Sequence, residues 1–191
     1  MGRLRLAVVL VAALALAVAG CGNQRTPAPA VPPPAAPVGE RTVDLDFAGV
    51  AFQRPANWAL TRGAAPQLAT VASGRAAVVV WRYPRAEPLP TAPDALQRSR
   101  QALIAAARAR DRTLRVVSSR VVALGDVKGV EVVADERLGL GRRQVRSTHV
   151  YAQGAELVLD AYAPRGDFAR VDRTVFRPLL GSLQVRRPGP A

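Results

Sequence analysis

The stretch that decides the fold is Leu114–Ala163, LRVVSSRVVALGDVKGVEVVADERLGLGRRQVRSTHVYAQGAELVLDAYA. It holds four strand-like runs: Leu114–Leu124, Val127–Leu138, Arg142–Ala152 and Glu156–Ala163. Each is rich in Val and other strand-forming residues. The breaks between them are short and glycine-bearing: Gly125-Asp126, Gly139-Leu140-Gly141 and Gln153-Gly154. A parallel crossover needs a dozen or more residues, so these breaks imply an antiparallel meander.

Upstream of the meander lies the clearest helix, Asp94–Arg110, with Pro93 and Asp94 as start signals. Leu96, Leu103, Ile104 and Ala107 recur at helical spacing, and Arg98, Arg100, Arg108 and Arg110 lie off that stripe. This predicts an amphipathic helix packed on a sheet, with a solvated basic back. A Pro-rich loop, Glu87–Pro93, precedes it. Gln67–Ala72 and Arg75–Tyr83 read as a hairpin joined at Ser73-Gly74, and the run AAVVVW is apolar on both faces, as in a central strand. Val43–Phe47 alternates like a strand, and Gly49–Phe52 follows it. Downstream, Gly166-Asp167 opens a last helix, Phe168–Leu183, with Val171, Val175, Phe176, Leu179 and Leu180 on its apolar face. Pro178 is expected to kink or split it. Gln184–Arg186 fits a short closing strand, and residues 187–191 a loose tail. The order is strands, helix, four strands, helix. It predicts an α+β fold, a twisted antiparallel β-sheet flanked by helices.

Composition narrows the function classes. With 191 residues and 49% hydrophobic content, the chain is long and apolar enough for one folded domain. One cysteine cannot form an intramolecular disulfide, and one cysteine with one histidine cannot supply a four-ligand zinc site. No EF-hand pattern occurs, so no metal or cofactor is expected. The formal charge is +13, from 27 Lys+Arg against 14 Asp+Glu, and Lys128 is the single lysine. Such a surface attracts anions. Nucleic-acid binding, however, calls for clustered basic residues interleaved with aromatics, and here the arginines are scattered.

The N-terminus reads as an address. Arg3 and Arg5 precede Leu6–Ala19, an uncharged apolar run too short for an ordinary membrane span of about 20 residues. Val18-Ala19-Gly20-Cys21 follows, and this resembles the lipobox of a bacterial lipoprotein precursor. The resemblance implies cleavage between Gly20 and Cys21 and acylation of Cys21 Sγ, leaving the protein lipid-anchored on the extracytoplasmic face of the cell membrane. Loss of residues 1–20 would lower the charge to +11. Gly22–Arg41 is Pro-rich and reads as a semi-rigid spacer. The expected organisation is residues 1–20 as signal peptide, 21–41 as lipidated cysteine and linker, 42–186 as the domain, and 187–191 as tail.

Two segments carry a family resemblance. GVAFQRPANW (Gly49–Trp58) looks like the opening motif of the Mog1/PsbP-like fold, and FRPLLGSLQV (Phe176–Val185) like its closing helix. Together with the lipobox and Pro-rich linker, this is similar to the LpqN-type lipoproteins of actinobacteria. The resemblance spans roughly residues 43–186. It implies an α/β/α sandwich that serves as a binding or accessory module.

No catalytic constellation stands out. G-x-S-x-G is absent. A Ser/His/acid triad would have to use His149, which shares a strand face with Ser147 and Tyr151; an ordinary sheet histidine is the simpler expectation. Asp135 and Glu136 point to opposite faces of their strand and balance neighbouring arginines. Trp58 and Trp81 read as core or domain-edge packing. The expected function is therefore a membrane-anchored binding module without catalysis. Its partners are the membrane through the lipid and an anionic envelope component or another envelope protein. The alternatives are a carrier of a lipid or small apolar ligand and an envelope hydrolase using His149.

Overall fold

The computed structural model describes residues 30–138 and 141–189. The signal peptide, Cys21 and its cleavage site, and the residues 139–140 of one expected turn lie outside the described residues. In chain order the elements are β1 (Glu40–Leu45), a 3-10 turn (Asp46–Ala48), β2 (Val50–Pro55), β3 (Ala59–Arg62), β4 (Gln67–Ser73), β5 (Ala76–Pro84) and α1 (Pro93–Arg110). Then come β6 (Arg115–Leu124), β7 (Val127–Leu138), β8 (Gly141–Ala152), β9 (Ala155–Pro164), α2 (Arg165–Val171), a π-helical turn (Asp172–Phe176), α3 (Arg177–Gly181) and β10 (Gln184–Val185).

The strands form two antiparallel sheets, a three-stranded one ordered β1-β2-β10 and a seven-stranded one ordered β3-β4-β5-β9-β8-β7-β6. The expected meander is β6 to β9, and β9 then pairs with β5. This places the run AAVVVW in the sheet interior, as its two apolar faces require. Strand β3, absent from the sequence reading, pairs with β4 at the sheet edge. Its four residues are too few to show a period.

Alternation divides the large sheet into two faces. On one, Val78 and Val80 of β5, Val150 of β8 and Leu157, Leu159, Ala161 and Ala163 of β9 are buried. They pack with Phe168, Val171, Val175, Phe176, Leu179 and Leu180 from α2 to α3 and with Val43, Leu45, Val50 and Phe52 of the small sheet. Each Val, Leu or Phe among them contributes roughly 1.5–3 kcal/mol on burial. On the other face, α1 sets Leu96, with Leu103 and Ile104 beside it, against Val130 and Val132 of β7 and Tyr151 of β8. The stripe expected for α1 is the face it buries.

The last helix is divided, as Pro178 leads one to expect, but the irregularity falls before the proline. Pro178 cannot donate to the carbonyl of Thr174, and its ring crowds that turn. The π-helical turn spans Thr174 and relieves the conflict. It also carries Asp172 into the core, where Asp172 is 3% exposed.

Two boundaries differ from the expectation. β1 begins at Glu40, and residues 35–38 of the presumed spacer are hydrogen-bonded to the domain. Ala35 N–H donates to Ser73 Oγ (3.0 Å), Val38 N–H to Asn57 Oδ1 (2.9 Å), and Asn57 Nδ2 to the Ala36 carbonyl (2.8 Å). Gly74, with φ +53, lies under the Pro32 and Pro33 carbonyls, where a Cβ would collide with them. Composition marked this segment as proline-rich, but the alanines and valine among the prolines keep the N–H and carbonyl groups that make these bonds. The tail also is held through Gly189: Arg186 N–H donates to the Gly49 carbonyl (2.8 Å) and Gly189 N–H to that of Asp46 (2.9 Å). Gly49 itself has φ +66, and a Cβ there would strike the Arg186 carbonyl, which explains the glycine that opens GVAFQRPANW.

Candidate functional site

Helix α1 covers β6 and β7 and leaves β8, β9 and β5 open beside it. Its last turns offer Ala106 and Ala107, too small to fill the space, and a cleft of about 930 Å³ results. That is within the range of small-molecule sites, about 300–1,000 Å³. Strand register fixes its floor. Trp81, Val158 and His149 stand in one row across β5, β9 and β8; Val79, Asp160 and Ser147 stand in the next. Tyr162 and Val145 form a third pair, and Tyr83 lies across from Glu156. Leu103, Ala106, Ala107 and Leu114 complete the wall from the helix and its exit.

The aromatic side is built by β5. Trp81 and Tyr83 are near-parallel, with ring centroids 6.4 Å apart and 13° between planes. The Arg143 guanidinium sits 4.7 Å from the Tyr162 ring centroid, a cation–π contact. Arg143 also donates from Nε to Glu136 Oε2 (2.8 Å). Across the strand, Gln144 Nε2 donates to Asp135 Oδ1 (3.0 Å) and Arg165 pairs with Asp135. The adjacent acids thus serve opposite faces and neighbouring basic or amide groups.

A polar chain runs along the floor. Ser147 Oγ donates to Asp160 Oδ1 at 2.6 Å and lies 3.1 Å from His149 Nε2. His149 Nδ1 lies 2.7 Å from Glu156 Oε1, and Arg85 pairs with the other oxygen of Glu156. The His149 hydrogen bond, opposed by burial and assisted by Arg85, holds the Glu156 carboxyl below the usual range. Burial, with the Glu156 charge, pushes the neighbouring Tyr151 phenol up.

The sequence reading placed Ser147, His149 and Tyr151 on one face, and the structure brings them together with Glu156. Ser147, His149 and Glu156 have the connectivity of a nucleophile, base and orienting acid. Two features set the arrangement apart from a working triad. The Ser147 proton is directed to Asp160 and not to the imidazole. Ser147 and Asp160 also lie mid-strand, in β8 and β9, each flanked by pairing strands on both sides. Backbone N–H groups there are committed to the ladder, whereas an oxyanion hole needs free donors.

Trp58 is core, as expected: it is 1% exposed and meets Phe176 edge-on. Trp81 is not; it stands half-buried in the cleft wall, because odd positions of β5 face the cleft and even ones the core. The sequence reading also missed Tyr83, Arg85, Glu156, Asp160 and Tyr162. Their signal is present in β9, where Glu156, Val158, Asp160 and Tyr162 alternate with four apolar residues. Alternation says that this face is not core. It does not say that a helix from elsewhere in the chain walls it.

On the opposite face is a second ionic cluster, sealed under the last helix. Arg146 donates from Nε and Nη2 to Asp172 (2.6 and 2.8 Å) and pairs with Glu131. Arg120 and Arg177 reach the same two carboxylates from the surface. Burial works against the Arg146 charge, but its bonds to Asp172 and Glu131 outweigh that and raise its pKa. Among the described residues, no group of three or more His, Cys, Asp or Glu is placed to hold a metal ion. Among them also, no helix is long and apolar enough to cross a membrane.

No family model matches the chain, and no curated protein matches its sequence. Solved structures do match. The chain is similar to cyanobacterial PsbP (CyanoP) from Synechocystis, with TM-score 0.60, 9% identity, and 89% of this chain and 99% of that one covered. It is similar to LpqN, involved in cell envelope biogenesis of Mycobacterium tuberculosis, with TM-score 0.56, 14% identity and coverage of 77% and 90%. It is similar also to the Ran-binding protein Mog1p of Saccharomyces cerevisiae, with TM-score 0.52, 8% identity and coverage of 78% and 97%. At these identities the likeness shows the fold, and the fold is the Mog1/PsbP-like one that the two sequence segments resemble.

Proposed function

We propose that this protein is a lipid-anchored binding module of the cell envelope that holds a small ligand in the cleft between α1 and the seven-stranded sheet. The carrying observation is the cleft itself: a preformed cavity of about 930 Å³ with aromatic and aliphatic walls and a short polar chain on its floor. That combination gives burial for affinity and a few fixed polar groups for orientation. Binding is favoured over hydrolysis because the Ser147 proton is directed to Asp160 and the strand backbones around it have no free donors for an oxyanion. It is favoured over the carriage of a wholly apolar ligand because such a ligand would strip solvent from Asp160 and return nothing.

The envelope location rests on the lipobox reading of Gly20-Cys21 and on the cell-envelope role named for LpqN. The scattered arginines then face an anionic environment of headgroups, phosphorylated glycans or acidic protein. Cys21→Ser is expected to leave a precursor of full-length mass that lacks acyl groups. Unchanged processing and membrane retention would overturn the anchor.

The cleft is tested by filling it. Trp81 fluorescence and native mass spectrometry report on ligand in the purified protein. Ala107→Trp, on the part-buried α1 wall of the cleft, is expected to abolish both signals while the fold is kept. Ligand bound equally well by Ala107→Trp would move the site elsewhere.

A further inference from the structure

The aromatic rings of the cleft are of one kind. The chain has two tryptophans, three tyrosines and four phenylalanines. Trp81, Tyr83 and Tyr162 line the cleft, and no phenylalanine does. Phe52, Phe168 and Phe176 are core, and Phe47 is exposed on a turn. A Trp or Tyr ring joins an apolar body to a polar tip, so these walls suit a ligand that is itself part apolar and part polar. The Trp81 and Tyr83 planes differ by 13° and so face nearly the same way.

The polar groups open to such a ligand are of both hydrogen-bonding kinds. Ser147 donates to Asp160 Oδ1, and among the described residues no group donates to Oδ2, which leaves that oxygen as an acceptor on the floor. Arg110, at the α1 end of the cleft, has no hydrogen bond or ion pair among the described residues, so its guanidinium is an available donor. The other charges stand beside opposite ones: Arg85 pairs with Glu156 and Arg143 with Glu136, and Asp111 follows Arg110. A ligand of either net charge therefore meets repulsion as well as attraction.

We infer that the cleft takes a neutral sugar. The inference rests on the binding-module reading above and names its ligand class. A pyranose carries C–H bonds on its faces and hydroxyls around its rim. The C–H bonds are weakly positive and meet the negative faces of the Trp81 and Tyr83 rings. Hydroxyls donate to Asp160 Oδ2 and, toward the end of α1, accept from Arg110; both bonds are charge-assisted. Water stripped from Asp160 is thus replaced by a donor, which an apolar ligand cannot offer. Being neutral, the sugar asks for no change of charge at His149, Glu156 or Asp160.

The test is saturation-transfer NMR with calorimetry on the full chain, using the neutral disaccharides cellobiose, maltose and lactose. At least one should bind, with saturation passing from aromatic protons to sugar C–H protons. Asp160→Asn, which keeps an acceptor for Ser147 but removes the charge, should weaken binding about tenfold, as for one charge-assisted hydrogen bond. Tyr83→Ala should weaken it too, and Phe47→Ala, an exposed aromatic outside the cleft, should not. Should Asp160→Asn misfold, Tyr83→Ala still decides. The cationic chitosan disaccharide and the anionic cellobiouronate should bind no tighter than cellobiose. Octyl glucoside bound tighter than the disaccharides would support the sugar with a glycolipid as its source, and equal binding would support it with a free glycan. Either charged analogue bound about tenfold tighter than cellobiose, or disaccharide binding unmoved by both cleft variants, would overturn the sugar. Phenethyl alcohol bound where no disaccharide binds would overturn it as well and leave the cleft a binding site. Failure of every probe to bind would overturn both readings.

Discussion

The two faces of the seven-stranded sheet are made by the same strands, yet they handle charge in opposite ways. On the sealed face, Arg146 is clamped between Asp172 and Glu131 under the last helix, with every guanidinium nitrogen of that contact matched to an oxygen. On the open face, Asp160 accepts from the Ser147 hydroxyl, and the Ser147–His149–Glu156 chain lines the cleft. The difference is one of cover. A charge sealed from water must be fully paired, or the fold is lost. A charge lining a cleft retains some hydration, so it is free to exchange partners. The first kind holds the structure together and the second is available for binding.

Breaking the sealed cluster should have the largest effect. Arg146→Ala leaves Asp172 and Glu131 buried with only Arg177 and Arg120 from the surface, and about 3–5 kcal/mol of stability should disappear in urea unfolding. Phe176→Ala, which removes a side chain 0% exposed between Trp58 and Phe168, should cost about 3–5 kcal/mol by the cavity it leaves. The open face should behave differently. Trp81→Ala should cost only about 1–2 kcal/mol, since the ring is half-buried, while abolishing the ligand-dependent fluorescence change. A loss for Trp81→Ala equal to that for Phe176→Ala would mean that the cleft is core.

Two pH responses sharpen the contrast further. The Glu156 carboxyl is lowered in the folded state, chiefly by its bond to His149. Its contribution is complete above the usual glutamate value of about 4.3 and is lost as pH falls through the lower native value. Glu156→Gln should flatten that acid limb of the stability curve. Tyr151 is raised by burial and by the Glu156 charge, so its contribution is complete below the usual tyrosine value of about 10 and is lost as pH rises through the native one. Tyr151→Phe should remove that smaller alkaline loss, followed by phenolate absorbance together with unfolding.

Much of this was legible in residue order. The meander, α1 with its Leu96-Leu103-Ile104 stripe, and the central place of AAVVVW follow from periods that each element carries within itself. His149 and Ser147 share a face for the same reason. The alternation of Glu156, Val158, Asp160 and Tyr162 marked a face outside the core, but reading it as a site required two further facts. One is that β9 leaves the meander to pair with β5, which brings Trp81 and Val79 beside Val158 and Asp160. The other is that the last turns of α1 bring the small residues Ala106 and Ala107 to the cleft wall. The docking of residues 35–38 on Asn57 and Ser73 was invisible for a similar reason, since it depends on backbone N–H and carbonyl groups that composition does not register.

The sequence by itself determined the element types, the antiparallel order and the face on which each strand residue lies, because helical and strand periods are local properties of the chain. Tertiary structure alone decided which of those faces would be sealed and which left open. It also set the partners of each carboxylate. Both depend on contacts between residues far apart in sequence, Asp172 with Arg146 on one side and Trp81 with Val158 on the other. Burial and pairing of charge are properties of the assembled layers, and no local period encodes them.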